Sequence, residues 1–371
     1  MTTSSQQSAQ PDRRRIALVG AGVIGRHHAR VIGELADRLE LVAVIDPATE
    51  LAQQLVDTYG GKPFASLAEA LNGAEVDLVA ICTPTGNHGP AAIEALRAGK
   101  DVIIEKPAEI TVERTDEIIA AQRATGRLVS VISQHRFDPS TEVAVAAIAR
   151  GELGRLTSGI ASIDWWRGQS YYDSGAWRGT WELDGGGALM NQGVHTIDLL
   201  VATLGRPVEV FAYTGTLAHE RIEVEDVAVG VVRFENGALG VLHATTAAYP
   251  GMSARLQVHG DRGSLVIDND LLTFIHRTPT DGGAAERAYG DPNADLNQVG
   301  EFPAAATPVQ TAGADPGALG VAAHLRQYEN VLAALDGTEE LRVDLEVNRQ
   351  AIAIITGVYE SARTGRPVKL S

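Results

Sequence analysis

The sequence holds one cysteine and three methionines, and Phe, Trp and Tyr together make up only 5% of it. The single Cys82, set in the apolar run VDLVAICTP, excludes an intramolecular disulfide and a thiolate metal cluster. No apolar run approaches the roughly 20 residues needed to cross a bilayer, so no membrane span is expected. Positive charge is scarce as well. Against 47 Asp and Glu stand 31 Lys and Arg, for a formal net charge of −16 and a pI near 5.0. A chain so charged repels a phosphate backbone, and no basic stripe with interleaved aromatics offsets that, so nucleic acid is not an expected partner. The opening MTTSSQQSAQPDRRR is polar, lacks the apolar stretch of a secretory signal, and reads as a frayed tail over residues 1–12. With the lone cysteine, this gives a reducing cytoplasm as the expected compartment.

A chain of 371 residues is too long for one ordinary compact core and suits two domains. In the first third, the apolar run IALVG leads into AGVIGRHHARVIGELA, which has helical periodicity. Gly20, Gly22 and Gly25 spell G-x-G-x-x-G at that junction of strand, turn and helix. The first glycine permits the turn, the second lets a pyrophosphate approach the backbone, and the third lets helix and strand pack closely. The helix start then offers free N–H groups to phosphate. A second strand, LELVAVID, ends in Asp46, 21 residues after Gly25, where a carboxylate accepts ribose hydroxyls. Pro47, Ala48 and Thr49 bring no arginine for a 2′-phosphate, so NAD is favoured over NADP. The runs EVDLVAICTP, DVIIEKP and LVSVISQ, alternating with helices near 89–98 and 112–124, predict a doubly wound parallel sheet covered on both faces. Ligands of such sheets sit at the carboxyl ends of the strands, which brings Thr83, Pro84, Glu105, Lys106 and Pro107 to the crevice. Lys106 there could bind a substrate hydroxyl or pair with Glu105 as a surface ion pair; spacing alone favours neither.

Beyond HRFDPSTEVAVAAIARGELG the pattern changes. Segments such as VEVFAYTGTL, DVAVGVVRFENGALGVLHATTAAY and ARLQVHGDRGSLVID alternate with a period near two, indicating antiparallel strands, with FENGALGVL as a hairpin. The stretch DGGGALMNQGVHTIDLL places Asn191, His195 and Asp198 at i, i+4 and i+7. At about 3.6 residues per turn they share one face of a helix. All four tryptophans, with Tyr171, Tyr172, Gln169, Arg167 and Arg178, fall between residues 165 and 181. Such rings and guanidinium groups suit a sugar site, phosphate or carboxylate binding, or equally a subunit contact. Residues 276–320 are rich in Pro, Gly, Ala and Asp and read as a long loop. No metal is expected: His27 and His28 are adjacent rather than one helical turn apart, and His195 and Asp198 have no further ligands clustered in sequence. His324 opens a later helix and by itself reads as a capping or solvated histidine.

Together, GAGVIGRHHA, ICTPTGNH, AGKDVIIEKP, GGGALMNQGVHTIDLL and YESARTGRPVKL resemble the Gfo/Idh/MocA oxidoreductases, from about residue 13 to 370. The resemblance implies a Rossmann-type domain (13–135) followed by an α+β domain (136–371) on a large, open, mostly antiparallel sheet, with the nicotinamide between them. It implies Lys106 and His195 as the catalytic pair, with Asn191, where many members carry aspartate, as a positioning group, and a place near the active site as the alternative for His324. Cofactor contacts are then expected at Gly20, Gly22, Val23, Ile24, Gly25, Asp46, Thr83, Pro84, His88, Glu105, Lys106 and Gln134. Substrate contacts are expected at Arg136, Trp166, Arg167, Tyr172, Trp177, Asn191 and His195. The implied activity is NAD-dependent hydride transfer at a secondary alcohol of a sugar, cyclitol or nucleotide-sugar. An NAD-dependent glycosidase acting by transient oxidation and a non-enzymatic NAD-binding regulator are the alternatives. A homo-oligomer through the open sheet is expected, since an uncovered sheet face and edge invite self-association.

Overall fold

The computed structural model describes residues 13–278, 296–307 and 320–371; the tail 1–12 and most of the expected 276–320 loop lie outside that range. Six short strands make the first sheet: β1 Arg14–Val19, β2 Leu39–Ile45, β3 Lys62–Phe64, β4 Leu78–Ile81, β5 Asp101–Ile104 and β6 Val129–Val131. Their order is β3-β2-β1-β4-β5-β6, and every pairing is parallel. Strands such as LVAI, apolar at each position and buried throughout, follow from helices covering both faces. Sequence periodicity predicts only five of these strands. The sixth, β3, is the three-residue KPF, and its central proline places it at the sheet edge, where no ladder bond is needed on the outer side. The order reverses between β1 and β4, so the crevice opens at the carboxyl ends of those two strands.

The second sheet has eight strands: β7 Leu156–Asp164, β8 Pro207–Gly215, β9 Val227–Phe234, β10 Leu239–Thr245, β11 Ala254–Gly260, β12 Ser264–Asp268, β13 Leu271–His276 and β14 Val368–Lys369. They run in the order β13-β12-β11-β7-β10-β9-β8-β14, antiparallel except for the β7–β10 pair. The FENGALG segment forms the expected β9–β10 hairpin. Alternate residues of β9 and β10 point inward, into a core shared with helices Val194–Leu204 and Leu345–Thr364. The other face leaves Tyr213, Val229, Val231, Leu239 and Val241 exposed.

The C-terminal part of the chain also closes the first domain. Tyr328, Val331 and Leu332, on helix Ala322–Leu335, are buried with Ile16, Leu18 and Leu39 of the first sheet. Leu345 and Ile352 join the core on its other side. The described part of the expected loop, 296–307, is packed: Val299 and Phe302 lie on the second-domain core, and Ala305 O accepts from Leu272 N at 2.9 Å. Among the described residues, no helix is long and apolar enough to cross a membrane.

Candidate active site

The glycine turn has the geometry that its sequence calls for. A Cβ on Gly25 would lie 2.0 Å from Gly20 O, so this residue sits behind the turn and lets helix Val23–Glu34 press against β1. Gly22 differs: a Cβ there meets no atom within 4 Å, because it would project into a cavity of about 970 Å³. The protein itself does not forbid a side chain at Gly22, and the open space before it at a helix N-terminus is the fit expected of a dinucleotide pyrophosphate. Asp46, at the end of β2, is held by Ala21 N at 2.9 Å and Ala48 N at 2.9 Å, and lines the same cavity with lone pairs left for ribose hydroxyls.

The cavity runs from Gly20, Gly22, Val23 and Ile24 past Thr83, Pro84 and His88 to Glu105, Lys106 and Gln134. His88 acts mainly as a brace. Its ring nitrogens lie 2.9 Å from Pro107 O and 2.9 Å from Thr83 O, tying the turns after β4 and β5 together. Glu105 is buried, with Oε1 2.9 Å from His28 Nε2 and Oε2 accepting Lys106 N at 2.9 Å. His28 in turn meets the Tyr328 hydroxyl at 2.6 Å. Burial opposes ionisation of Glu105, but His28 and His324 outweigh it and hold the carboxyl well below its usual range. His28, His324 and Tyr328 escape a reading by local spacing, since Tyr328 is 300 residues from His28.

Lys106 lies at the far end of this path, on the cis Lys106–Pro107 peptide. Its Nζ donates to Asn191 O at 3.1 Å and to Asn191 Oδ1 at 3.4 Å. Burial lowers the Lys106 pKa, while Glu105 and Asp184 raise it. Asn191 Nδ2 donates to Asp184 Oδ1 at 2.8 Å, so the amide links a buried carboxylate to the ammonium. Asp184 is pushed up to about 6, by burial above all, against Gly179 N–H and the nearby Arg178 and Lys106 charges. The glycines before Asn191 permit a close approach: a Cβ on Gly187 would lie 1.7 Å from Glu225 O. Glu225 then accepts Gly187 N at 2.9 Å and Leu189 N at 2.8 Å, fixing the entry to the helix.

That entry corrects the uniform polar face predicted from a 3.6-residue repeat. Residues Ala188–Gly193 form a wider π-type turn, and the α-helix begins at Val194. Asn191 and His195 line the large cavity, whereas Asp198 is taken up by Arg136, with Nε–Oδ2 at 2.7 Å and Nη2–Oδ1 at 2.8 Å. Arg136, expected at substrate, is therefore an anchor outside the cavity. Two aromatic expectations are corrected too. Tyr172 is buried with its hydroxyl 2.7 Å from Thr246 Oγ1, and Trp166 packs against His219 at a tilt and against Tyr249 edge-on near the surface. The expected Arg167 and Trp177 do line the cavity, and Trp165, Tyr171, Arg178 and Gln192 complete that wall. Arg178 lies 4.3 Å from the Tyr171 ring centroid and 4.5 Å from that of Trp177; Arg167 lies 5.0 Å from that of Trp165. His195 stays well below the usual imidazole range, through burial first and then the Lys106 and His135 charges.

A Rossmann crevice whose far end carries a lysine and a histidine from two different domains matches known proteins in both halves. Residues 14–133 match the oxidoreductase family's NAD-binding Rossmann fold, and residues 141–266 match the Gfo/Idh/MocA C-terminal domain. The WlbA dehydrogenase of Bordetella pertussis, crystallised with NADH and UDP-GlcNAcA, is 32% identical with a TM-score of 0.81, covering 97% of this chain and 99% of that one. The chain belongs to the Gfo/Idh/MocA oxidoreductase family. Within that family, the inositol 2-dehydrogenase of Rhizobium meliloti is 28% identical over 72% of this chain and 79% of its own length. The D-glucoside 3-dehydrogenase of Escherichia coli is 27% identical over 96% of this chain and 97% of its own. The first domain is accordingly the family's NAD-binding domain.

The two glycine roles separate by experiment. Gly25→Ala should cost about 3 kcal/mol or more in urea unfolding, by forcing backbone apart. Gly22→Ala should unfold like the parent chain yet lose the rise in melting temperature that NAD gives it. Asp184 yields a pH test. Its folded pKa of about 6 lies above the unfolded value of 3.8, so it stabilises the fold below pH 4, and that contribution is lost as pH rises through 6. Asp184→Asn should therefore gain on the parent by about 3 kcal/mol between pH 4 and pH 6, with no further gain above, in urea titrations across that range.

Proposed function

We propose that the protein is an NAD-dependent dehydrogenase acting on a secondary alcohol of a sugar, cyclitol or nucleotide-linked sugar, with Lys106 and His195 as its catalytic residues. One observation carries this reading: a single cavity joins the glycine turn and Asp46 to Lys106, Asn191 and His195. NAD, when bound, supplies the acceptor for the hydride leaving the alcohol carbon. Lys106 donates a hydrogen bond to the substrate oxygen and stabilises the charge that develops on it. His195, held neutral, accepts the hydroxyl proton, so that the C–OH becomes C=O. Asn191 has no proton to exchange and fixes the ammonium through its carbonyl and amide oxygens.

The wall opposite favours a substrate with a flat apolar face and a negative group. Trp165, Tyr171 and Trp177 offer rings for stacking, and Arg167 and Arg178 bring positive charge beside Lys106 in a chain of net charge −16. A nucleotide-linked sugar acid has both features, and UDP-GlcNAcA is the sugar in the Bordetella pertussis complex. On the open face of the second sheet, Val231 stands in register with Phe211 and Val241, and Val229 with Tyr213 and His243. This apolar band fits a second copy of the chain.

A screen of sugars, cyclitols and nucleotide-sugars for NADH formation should yield a substrate oxidised in proportion to NAD consumed. On it, Lys106→Ala and His195→Ala should each lower kcat by about 100-fold or more. Full turnover in both variants would refute the assignment, and product without net NADH would point to glycosidase chemistry. Light scattering at micromolar concentration should show an oligomer that Val231→Asp dissociates.

A further inference from the structure

The segment after β6, Gln134–Phe137, carries a histidine that the reaction as described does not use. His135 Nδ1 lies 2.9 Å from Asp138 Oδ2 and 3.0 Å from Asp270 Oδ1. Its ring stands edge-on to the His195 ring, with centroids 5.0 Å apart and planes at 85°. We propose that His135 is a positioning residue for the proton acceptor: clamped between Asp138 and Asp270, it fixes the ring face that His195 presents to substrate and keeps that ring in its base form. The inference rests on the proposed role of His195.

The clamp is built from three separate parts of the chain. Asp138 heads the helix Pro139–Ala149, and its other oxygen accepts Arg326 Nη2 at 3.0 Å from the helix Ala322–Leu335. Asp270 sits on the two-residue β12–β13 turn, where Asn269 and Asp270 both have positive φ, 46° and 64°. That turn is pinned: Ser140 Oγ donates to Asp270 O at 2.7 Å, and Asn269 Oδ1 accepts Ala254 N at 3.1 Å. Two carboxylate oxygens facing one ring nitrogen require a proton on that nitrogen. On the other side, Nε2 lies 3.3 Å from the Gln134 side-chain nitrogen, and Gln134 Oε1 is buried without a hydrogen-bond partner. Turning the Gln134 amide over puts its oxygen opposite Nε2, where it accepts a second ring proton, so a doubly protonated His135 has an acceptor for each of its ring N–H groups.

The charges confirm the direction. Burial disfavours a charged His135, but Asp270 and Asp138 outweigh it and raise its pKa well above the usual value. His195 faces Lys106 and Glu105 from the β5 end, His135 from the segment after β6, and His324 from the later helix; the first two histidine-disfavouring charges, Lys106 and His135, act against protonation, and Glu105 acts for it. A His195 that keeps its base form toward acid pH extends oxidation to lower pH. Without the charge of His135, that acid limit moves up.

The test reads ring protonation directly, without needing a substrate. In the full-length protein labelled with 15N-histidine, the His135 ring should carry two protons through the neutral range, and His195 should remain neutral well below its ordinary pKa. His135→Gln, and the isosteric Asp270→Asn should the first fold poorly, should each raise the His195 titration by about one pH unit. The acidic limb of kcat/KM on an identified substrate should move by the same amount. A merely structural His135 would lower turnover at every pH and leave both midpoints in place, which would overturn the proposal. So would a singly protonated His135 at pH 7, or a stoichiometric divalent ion found by elemental analysis, because Nδ1 would then hold a metal in place of a proton. If no alcohol is oxidised but the His195 titration shifts, the dehydrogenase reading fails and the clamp stands.

Discussion

An ammonium group withdrawn from water has to be surrounded by oxygen, and here the oxygens come from the other domain. Lys106 belongs to the turn that ends a strand of the first sheet, while the carbonyl and amide that receive its protons belong to Asn191, at the wide turn entering a helix of the second domain. The contact ties the cofactor half to the substrate half at the point where hydride would pass. Much of the surrounding structure keeps it in place. Glu225 holds the glycine-rich entry through two backbone N–H groups, Asp184 holds the far end of the Asn191 amide, and Glu105 receives the Lys106 backbone N–H. Each of these carboxyl groups is buried and directs hydrogen bonds at this junction; for Glu105 the partners outweigh the burial, whereas for Asp184 and Glu225 burial prevails and raises the pKa, to about 6 and about 7.

Two electrostatic arrangements divide the work. In the proposed reaction, the Asp184–Asn191–Lys106 chain places positive charge where negative charge would develop on the substrate oxygen. The Asp138–His135–Asp270 clamp would set a second positive charge, beside Lys106, against His195, leaving the proposed proton acceptor in its base form. Asparagine at 191 fits this division. An aspartate there would face Asp184 across a 2.8 Å contact, and one of the two would have to be protonated.

The sheet of the first domain was legible because β-strands buried on both faces must be apolar at every position, as IALV, LVAI and DVII nearly are. The edge strand KPF escaped, being too short to carry a period. In the second domain, β9 and β10 announced themselves by strict alternation, since one face meets helices and the other does not. For the site, motifs sufficed to bring a residue to the cavity where its place depends on its own strand end or turn, as for Gly22, Asp46 and Lys106. They failed where the role depends on a distant partner. Nothing near Arg136 in sequence shows that Asp198 claims it, and nothing near Tyr171 and Tyr172 shows which ring faces the cavity. A regular helical wheel also misplaced Asn191 relative to His195 and Asp198, because the six residues before the helix wind more widely than 3.6 per turn.

The central claim is that the reacting end of the cofactor meets the substrate at the Lys106–Asn191 contact. A crystal structure of the protein with NADH and a bound sugar substrate tests it most directly. The pyrophosphate should lie over Gly22, and the nicotinamide and the reacting hydroxyl should meet between Lys106 Nζ and the His195 ring. A nicotinamide directed away from Lys106, or a hydroxyl in reach of neither side chain, would contradict the account.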